Sequence, residues 1–347
     1  MLNFCTLFDS NYMSRGLALF ESLKKTNPDF HLYVVAFDDE CYRYLSGLHE
    51  KELSVISLAE FEDDKLRQVK SGRTAAEYCW TCTPSIILYC IEMFKLPSCT
   101  YLDADMIFYD NPQILFDEFV NDSILISEHR YTRDYDVSVT HGIYCVQFMY
   151  FKNDQNGLNA LIWWRDRCLE WCFAFLEDGK FGDQKYLDDW PERFPGVHIL
   201  QHPGGGLAPW NIQQYSIKQI NNKIFISDKK KGTKHPLVFY HFHGLKFYSD
   251  EKVGCSGALY ELDSEAKEIL YFPYIRRLLE IGDQIIHSGF KGNPQGARQA
   301  SPGAGEIIFE YIKNVIFLIY KGRLTPFKKN LFKFRLHDHI YKLDSIK

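Results

Sequence analysis

The chain has 347 residues, 46% of them apolar and 24% charged, with a formal charge of −5. That composition excludes a wholly disordered, collagen-like or coiled-coil protein, and it favours one α/β domain of about 250 residues with an appendage over two domains. The charge is uneven: Glu310 to Lys347 carries nine Lys and Arg against Glu310, Asp338 and Asp344, so a basic tail follows an acidic body, and nucleic acid is not expected as a partner.

Two periods alternate along the first third of the chain. Leu2 to Phe8 is an apolar strand-like run, Ser14 to Lys25 has Leu17, Leu19, Phe20 and Leu23 at helical spacing, and His31 to Phe37 is again a buried-strand run. Asp39 to Leu48 predicts a helix, Leu53 to Leu58 a strand, Pro84 to Phe94 a helix with Thr83 as N-cap and Pro84 at its first position, and Cys99 to Leu102 a strand. Strands alternating with helices imply a mostly parallel sheet that binds ligands at its carboxyl edge. Beyond Asp110 the pattern is mixed. Ile124 to Ser127 and Ile143 to Phe151 read as strands, Leu158 to Leu176 as a long aromatic-rich helix, Leu237 to Phe242 as a strand and Asp263 to Ile286 as a helix. Gly292 to Gly305 is rich in Gly, Pro, Ala, Gln and Ser and reads as a linker, dividing the chain into a body 1–290, a linker 291–305 and a tail 306–347.

Met1 to Thr6 runs straight into a strand with no basic n-region or apolar h-region, and no apolar run approaches the roughly 20 residues of a membrane span. A cytoplasmic protein is expected. In the tail, Ile308, Tyr311, Ile312, Val315, Ile316 and Ile319 share one helical face, and Lys and Arg then alternate with Phe327, Phe332 and Phe334. This is the composition of an interfacial anchor on an anionic membrane face; the alternative is a helix packed on the body with a basic end. The ten cysteines, including Cys79 and Cys82 and the pair Cys168 and Cys172, are expected to be reduced core thiols rather than a zinc or redox centre.

The sharpest chemical feature is Tyr101-Leu102-Asp103-Ala104-Asp105-Met106, two carboxylates two residues apart behind an apolar strand. In an extended backbone both point the same way and suit a hard divalent cation, which can bridge the phosphates of a nucleotide. Loss of a nucleoside diphosphate from a sugar needs such neutralisation of charge. Two carboxylates leave room for a third ligand, and His241 and His243, ending a strand and followed by Gly244 and Lys246, are the candidates. Gly204-Gly205-Gly206 lacks the spacing of a phosphate loop and reads as a mobile active-site loop. Trp163, Trp164, Trp171 and Phe173 read as core, Trp190 and Trp210 as sugar-stacking candidates, and Arg15 and Arg73 as guanidinium partners for phosphate.

Taken together, four ordered segments resemble family 8 glycosyltransferases, the group that includes glycogenin and bacterial lipooligosaccharide galactosyltransferases. They are Thr6 to Lys24, the Asp-x-Asp segment Tyr101 to Phe108, Phe181-Gly182-Asp183-Gln184, and His241 to Lys246. The resemblance implies a GT-A fold, a Rossmann-like transferase of mostly parallel central sheet with flanking helices and a C-terminal helical tail. It implies a nucleotide-sugar co-substrate, by expectation a UDP-sugar, and Mn²⁺ or Mg²⁺ held by Asp103, Asp105 and His241. Thr6, Asp9 and Tyr12 would surround base and ribose, and Gly244 and Lys246 would address the diphosphate. Asp183 and Gln184 would sit beside the anomeric carbon, Gln184 as a positioning amide, in a reaction that retains configuration. Three departures stand out: Tyr12 is one place early, Lys246 is one place nearer its glycine, and Cys145 and Gln147 replace Asn-x-Gly on the acceptor side. The segment Phe181 to Asn211 resembles bacterial family-8-like enzymes of surface polysaccharides, so the implied acceptor is a saccharide or a lipid-linked one. The rival readings are a haloacid-dehalogenase-type phosphatase, whose Asp-x-Asp lies on the first strand, and an inactive saccharide- or nucleotide-binding scaffold.

Overall fold

The computed structural model describes residues 1–257, 260–297, 299–303, 305–306, 309 and 339–346. The chain opens with β1 (Leu2–Phe8), α1 (Met13–Thr26), β2 (Phe30–Ala36), α2 (Asp39–Ser46), β3 (Leu53–Ser57), α3 (Leu58–Phe61), α4 (Asp64–Lys70), α5 (Ala75–Met93) and β4 (Ser98–Leu102). It continues with β5 (Met106–Phe108), α6 (Gln113–Phe116), β6 (Ile124–Glu128), α7 (Ser138–His141), β7 (Tyr144–Lys152), α8 (Gln155–Glu170), α9 (Trp190–Arg193) and β8 (Val197–Ile199). Then follow β9 (Tyr215–Ile220), β10 (Lys223–Asp228), β11 (Lys234–Pro236), β12 (Phe239–His241), β13 (Lys246–Tyr248), β14 (Lys252–Gly254), α10 (Ser264–Ala266), α11 (Phe272–His287) and β15 (Ile340–Lys342).

The central sheet has seven strands in the order β3-β2-β1-β4-β7-β6-β8. It is parallel from β3 to β4 and between β6 and β8, with β7 inserted antiparallel between β4 and β6. Alternation along the strands feeds two cores. Phe4, Leu32 and Val34 face the side covered by α1 and α11, and Cys5, Leu7 and Val35 face α5 and α8. The mostly parallel α/β sheet with flanking helices is the architecture expected.

Several local readings are corrected. The helix placed at Pro84 begins nine residues earlier, at Ala75: Thr74 caps it in a reciprocal box with Glu77, and Pro84 lies inside it. An interior proline costs about 3 kcal/mol; here burial of Tyr78, Cys82, Ile86, Ile87 and Cys90 outweighs it. The long helix from Leu158 ends at Glu170, because Trp171 turns extended and the following aromatics form a loop. Trp190 is wholly buried, edge-on to Trp164 at 5.7 Å, and is core rather than a sugar platform. The three glycines at 204–206 are buried, not a mobile loop: a Cβ at Gly204 would stand 2.0 Å from the carbonyl oxygen of Pro236. Within the segment 291–305, Pro294, Gln295 and Ser301 touch the body. The carbonyl of Pro294 accepts from Ser14, that of Gln295 from Arg15, and Ser301 bonds Asp250.

All ten cysteines are free. Cys5, Cys90 and Cys99 bring three buried thiols within 4.8 Å of one another, a cluster formed by β1, α5 and β4 that no sequence spacing announces. No described helix is long and apolar enough to cross a membrane. The apolar and basic part of the tail, 310–338, lies outside the described residues, whereas β15 closes on the body as the third strand beside β13 and β14.

Candidate metal centre and cavity

The site forms where β4 leaves the sheet. Asp103, Ala104 and Asp105 are not extended but make a turn, with the amide of Met106 donating to the Asp103 carbonyl (3.3 Å). Two neighbouring strands fix that turn. The amide of Asp103 donates to the carbonyl of Gln147 on β7 (3.1 Å), and the amide of Phe242, just past β12, donates to the carbonyl of Asp105 (3.0 Å). Because β12 pairs antiparallel with β5, setting His241 opposite Met106, the imidazole arrives over the two carboxylates.

Oxygens of Asp103 and Asp105 and a nitrogen of His241 lie within 4.8 Å of one another. His241 Nε2 is 3.1 Å from Asp105 Oδ1 and 3.7 Å from Asp103 Oδ2. Two carboxylates and an imidazole in this arrangement fit a divalent cation that keeps positions open for phosphate oxygens. Of the two histidines, the ligand-like position is that of His241; His243 stands exposed on the cavity, its ring 5.5 Å from that of His241.

The electrostatics reflect the crowding. Burial raises Asp103 above the usual carboxylate range, with the Asp105 charge adding to it and His241 opposing. Burial would raise Asp105 too, but the charge and hydrogen bond of His241 outweigh it and hold that carboxyl well below its ordinary value. His241 is pulled in reverse: burial disfavours its cation, and Asp105 overrides burial and raises it.

Beside the cluster opens a cavity of about 690 Å³. Asp103, His241, Asp183 and Gln184 all line it, together with Trp210 and aromatic residues of the loop after α8. Asp183 is 5% exposed, and its carboxyl is pushed up to about 8 by burial and then by the charge of Asp103. It does not cap the short turn Lys185–Leu187, whose N-cap is Gln184 without a side-chain bond. The indole of the core residue Trp164 donates to the Asp183 carbonyl (2.9 Å), and the Gln184 amide nitrogen donates to the His141 carbonyl, so both residues are held at the cavity wall.

The remaining candidate residues divide between the cleft and the scaffold. Tyr12 reaches the cluster, its hydroxyl donating to Asp105 Oδ2 (3.1 Å). Asp9 caps the turn after β1 through the Asn11 amide (3.0 Å). Thr6 is fully buried, its hydroxyl without a hydrogen-bond partner, and Ala104 packs into the core. Arg15, expected at phosphate, is 2% exposed and donates to the carbonyls of Gln295 (3.2 Å) and Leu245 (3.1 Å). Arg73 lies over the Phe173 ring at 3.8 Å. Gly244 adopts φ +78°, a left-handed turn that leaves Lys246 exposed beside Gln299. Two contacts at the site are absent from the sequence reading: Tyr101 donates to Asp103 Oδ1 (3.0 Å), and Gln147, expected on the acceptor side, meets His241. Only the non-local pairing of β4 with β7 brings Gln147 there.

No family model matches the chain. Among solved structures, that of the galactosyltransferase LgtC in complex with donor and acceptor sugar analogues aligns with 80% of this chain and 96% of its own, at a TM-score of 0.50 and 12% identity. A likeness at that identity establishes a shared fold, and the fold is that of GT-A glycosyltransferases. In sequence, the uncharacterized protein YfnD of Bacillus subtilis (strain 168) is 30% identical over 293 residues, 82% of this chain and 90% of YfnD. The uncharacterized protein YfnF of the same organism is 31% identical over 264 residues, 72% of this chain and 84% of YfnF. The chain belongs to the family of YfnD and YfnF.

Proposed function

We propose that this protein is a metal-dependent glycosyltransferase of the family 8 type, moving a sugar from a nucleotide sugar, a UDP-sugar by our reading, to a saccharide or lipid-linked acceptor with retention of configuration. The observation that carries the reading is the convergence of Asp103, Asp105 and His241 at one end of a cavity whose wall holds Asp183 and Gln184. Asp103, Asp105 and His241 would hold Mn²⁺ or Mg²⁺, which supplies Lewis-acid stabilisation of the departing diphosphate.

The chain's own groups do the rest. Lys246 and the turn at Gly244 would address the diphosphate. The Gln184 amide, anchored on the His141 carbonyl, orients polar contacts at the sugar. Apolar walls keep water from competing with the acceptor hydroxyl. The body 1–290 would be the catalytic domain; the basic tail would rest on the cytoplasmic membrane face, and a bacterial surface polysaccharide would be the product.

The test is donor hydrolysis with Mn²⁺ across a panel of UDP-, GDP- and CMP-sugars, with Asp105→Asn as control. Metal-dependent release of one nucleotide, lost in the variant, supports the proposal. Absence of both release and calorimetric nucleotide binding in the presence of metal would overturn it in favour of a non-catalytic scaffold.

A further inference from the structure

We propose that Gln147 is a positioning residue that fixes the His241 ring in the tautomer able to bind a cation. The inference rests on the metal centre proposed above and concerns a residue outside it. Gln147 is wholly buried on β7. Its main-chain carbonyl accepts from the Asp103 amide (3.1 Å), and its side-chain Oε1 lies 2.7 Å from His241 Nδ1. One residue therefore aligns two of the three ligands.

An amide oxygen only accepts, so the proton of a neutral His241 ring must sit on Nδ1. That leaves the Nε2 lone pair facing Asp105 and Asp103, the geometry an imidazole ligand requires. Without this acceptor the ring gains freedom to place its proton on Nε2, which hydrogen-bonds a carboxylate and cannot ligate. The other ring neighbours do not replace Gln147: Trp210 meets the imidazole edge-on at 5.5 Å, and the Cys145 thiol is a weak partner. The space around the amide is also defined. Gly206, at φ +94°, would place a Cβ only 3.5 Å from Gln147 Nε2, and that nitrogen is buried without a hydrogen-bond partner in the structure. Leaving an amide N–H unpaired is costly, and the opposite amide orientation would aim Nε2 at Nδ1 and put the ring proton on Nε2, so the position of the ring proton reports the orientation directly.

The experiment measures Mn²⁺ affinity by the loss of the free-ion electron paramagnetic resonance signal in wild type, Gln147→Leu and Gln147→Glu, with ring ¹⁵N shifts of the Mg²⁺-loaded proteins. Gln147→Leu should weaken Mn²⁺ binding about 10- to 100-fold. Gln147→Glu, an obligate acceptor when ionised, should bind as tightly as wild type or more so, and the wild-type ring should show Nδ1 protonated. Equal affinity in a Gln147→Leu variant that melts like wild type overturns the inference, and so does a ring protonated on Nε2. If Gln147→Leu fails to fold, loss of affinity in Gln147→Glu is the overturning result. A wild type that binds no Mn²⁺ overturns the metal centre itself, and this inference with it.

Discussion

Tyr12 and Asp105 are joined by a hydrogen bond of 3.1 Å from the phenol to Oδ2, while Oδ1 of the same carboxylate faces His241 at 3.1 Å. Asp105 is thus fixed from both sides before any ligand arrives. The residue that the family resemblance sets among those around base and ribose is, in this structure, a support for the Asp105 carboxylate. Tyr12→Phe should keep the fold and lower the rate of metal-dependent donor hydrolysis roughly tenfold, since hydrogen bonds to charged groups contribute about 1.5–3 kcal/mol. A rise in donor KM with unchanged Mn²⁺ affinity would return Tyr12 to the nucleoside.

The two carboxylates should be separable from the scaffold by chelation. Removing divalent ions should abolish activity and Mn²⁺ should restore it, whereas Asp103→Asn and Asp105→Asn should each lose at least 100-fold and stay inactive at high Mn²⁺. Melting curves check the assignment: Asp103→Asn removes a carboxyl that burial and Asp105 disfavour and should melt no lower than the ion-free wild type, whereas Asp105→Asn gives up the charge that His241 stabilises and should melt lower. Recovery of Asp105→Asn by excess Mn²⁺ would show that this residue is not a ligand.

Glu77 ties the start of α5 to the cavity loop, because its carboxylate accepts from the amide of Ala174 (2.9 Å) and from the amide and hydroxyl of Thr74 (2.9 and 2.8 Å). These donors, the Ala174 amide first, hold the carboxyl below its usual range. A depressed folded pKa contributes stability that is complete above the unfolded value, near 4.3, and is lost as pH falls through the folded value. Wild type should therefore melt higher than Glu77→Gln at pH 7, by about 1 kcal/mol. The two curves should converge as pH drops from about 5 to 3. Parallel curves across that range would mean that the Ala174 contact adds no stability.

How much of this was legible in the sequence follows from how local each signal is. The alternating strands and helices up to Leu102 depend on contiguous residues and emerge with shifts of one or two positions at their ends, apart from the helix at Pro84. There the capping residues Thr74 and Glu77 were present in the sequence, yet the proline is the louder signal, and only tertiary burial of the helix overrides it. Asp103 and Asp105 were readable as a pair, but their convergence comes from a turn pinned by β7 and β12 rather than from an extended strand. The contact of Gln147 with His241 and the cysteine cluster were not legible, because antiparallel insertion of β7 and packing of α5 on β1 and β4 join residues far apart in the chain.

Arg15 gives the clearest test between the two sources of inference. Its composition-level role is a phosphate fork, which predicts that Arg15→Gln weakens donor binding and leaves stability alone. The structure instead buries the guanidinium against the Tyr12 ring at 4.4 Å and commits its donors to the carbonyls of Gln295 and Leu245. Removing it would leave two carbonyls of a packed interface short of donors, at roughly 1–3 kcal/mol each. Because Leu245 lies between Gly244 and Lys246, the turn at Gly244 would loosen with it. Arg15→Gln should therefore lower the melting temperature by several degrees, and limited proteolysis should cut near Gln295 before the body unfolds. A variant that melts like wild type and resists cleavage, yet binds UDP-sugar poorly, would place the guanidinium at phosphate after all.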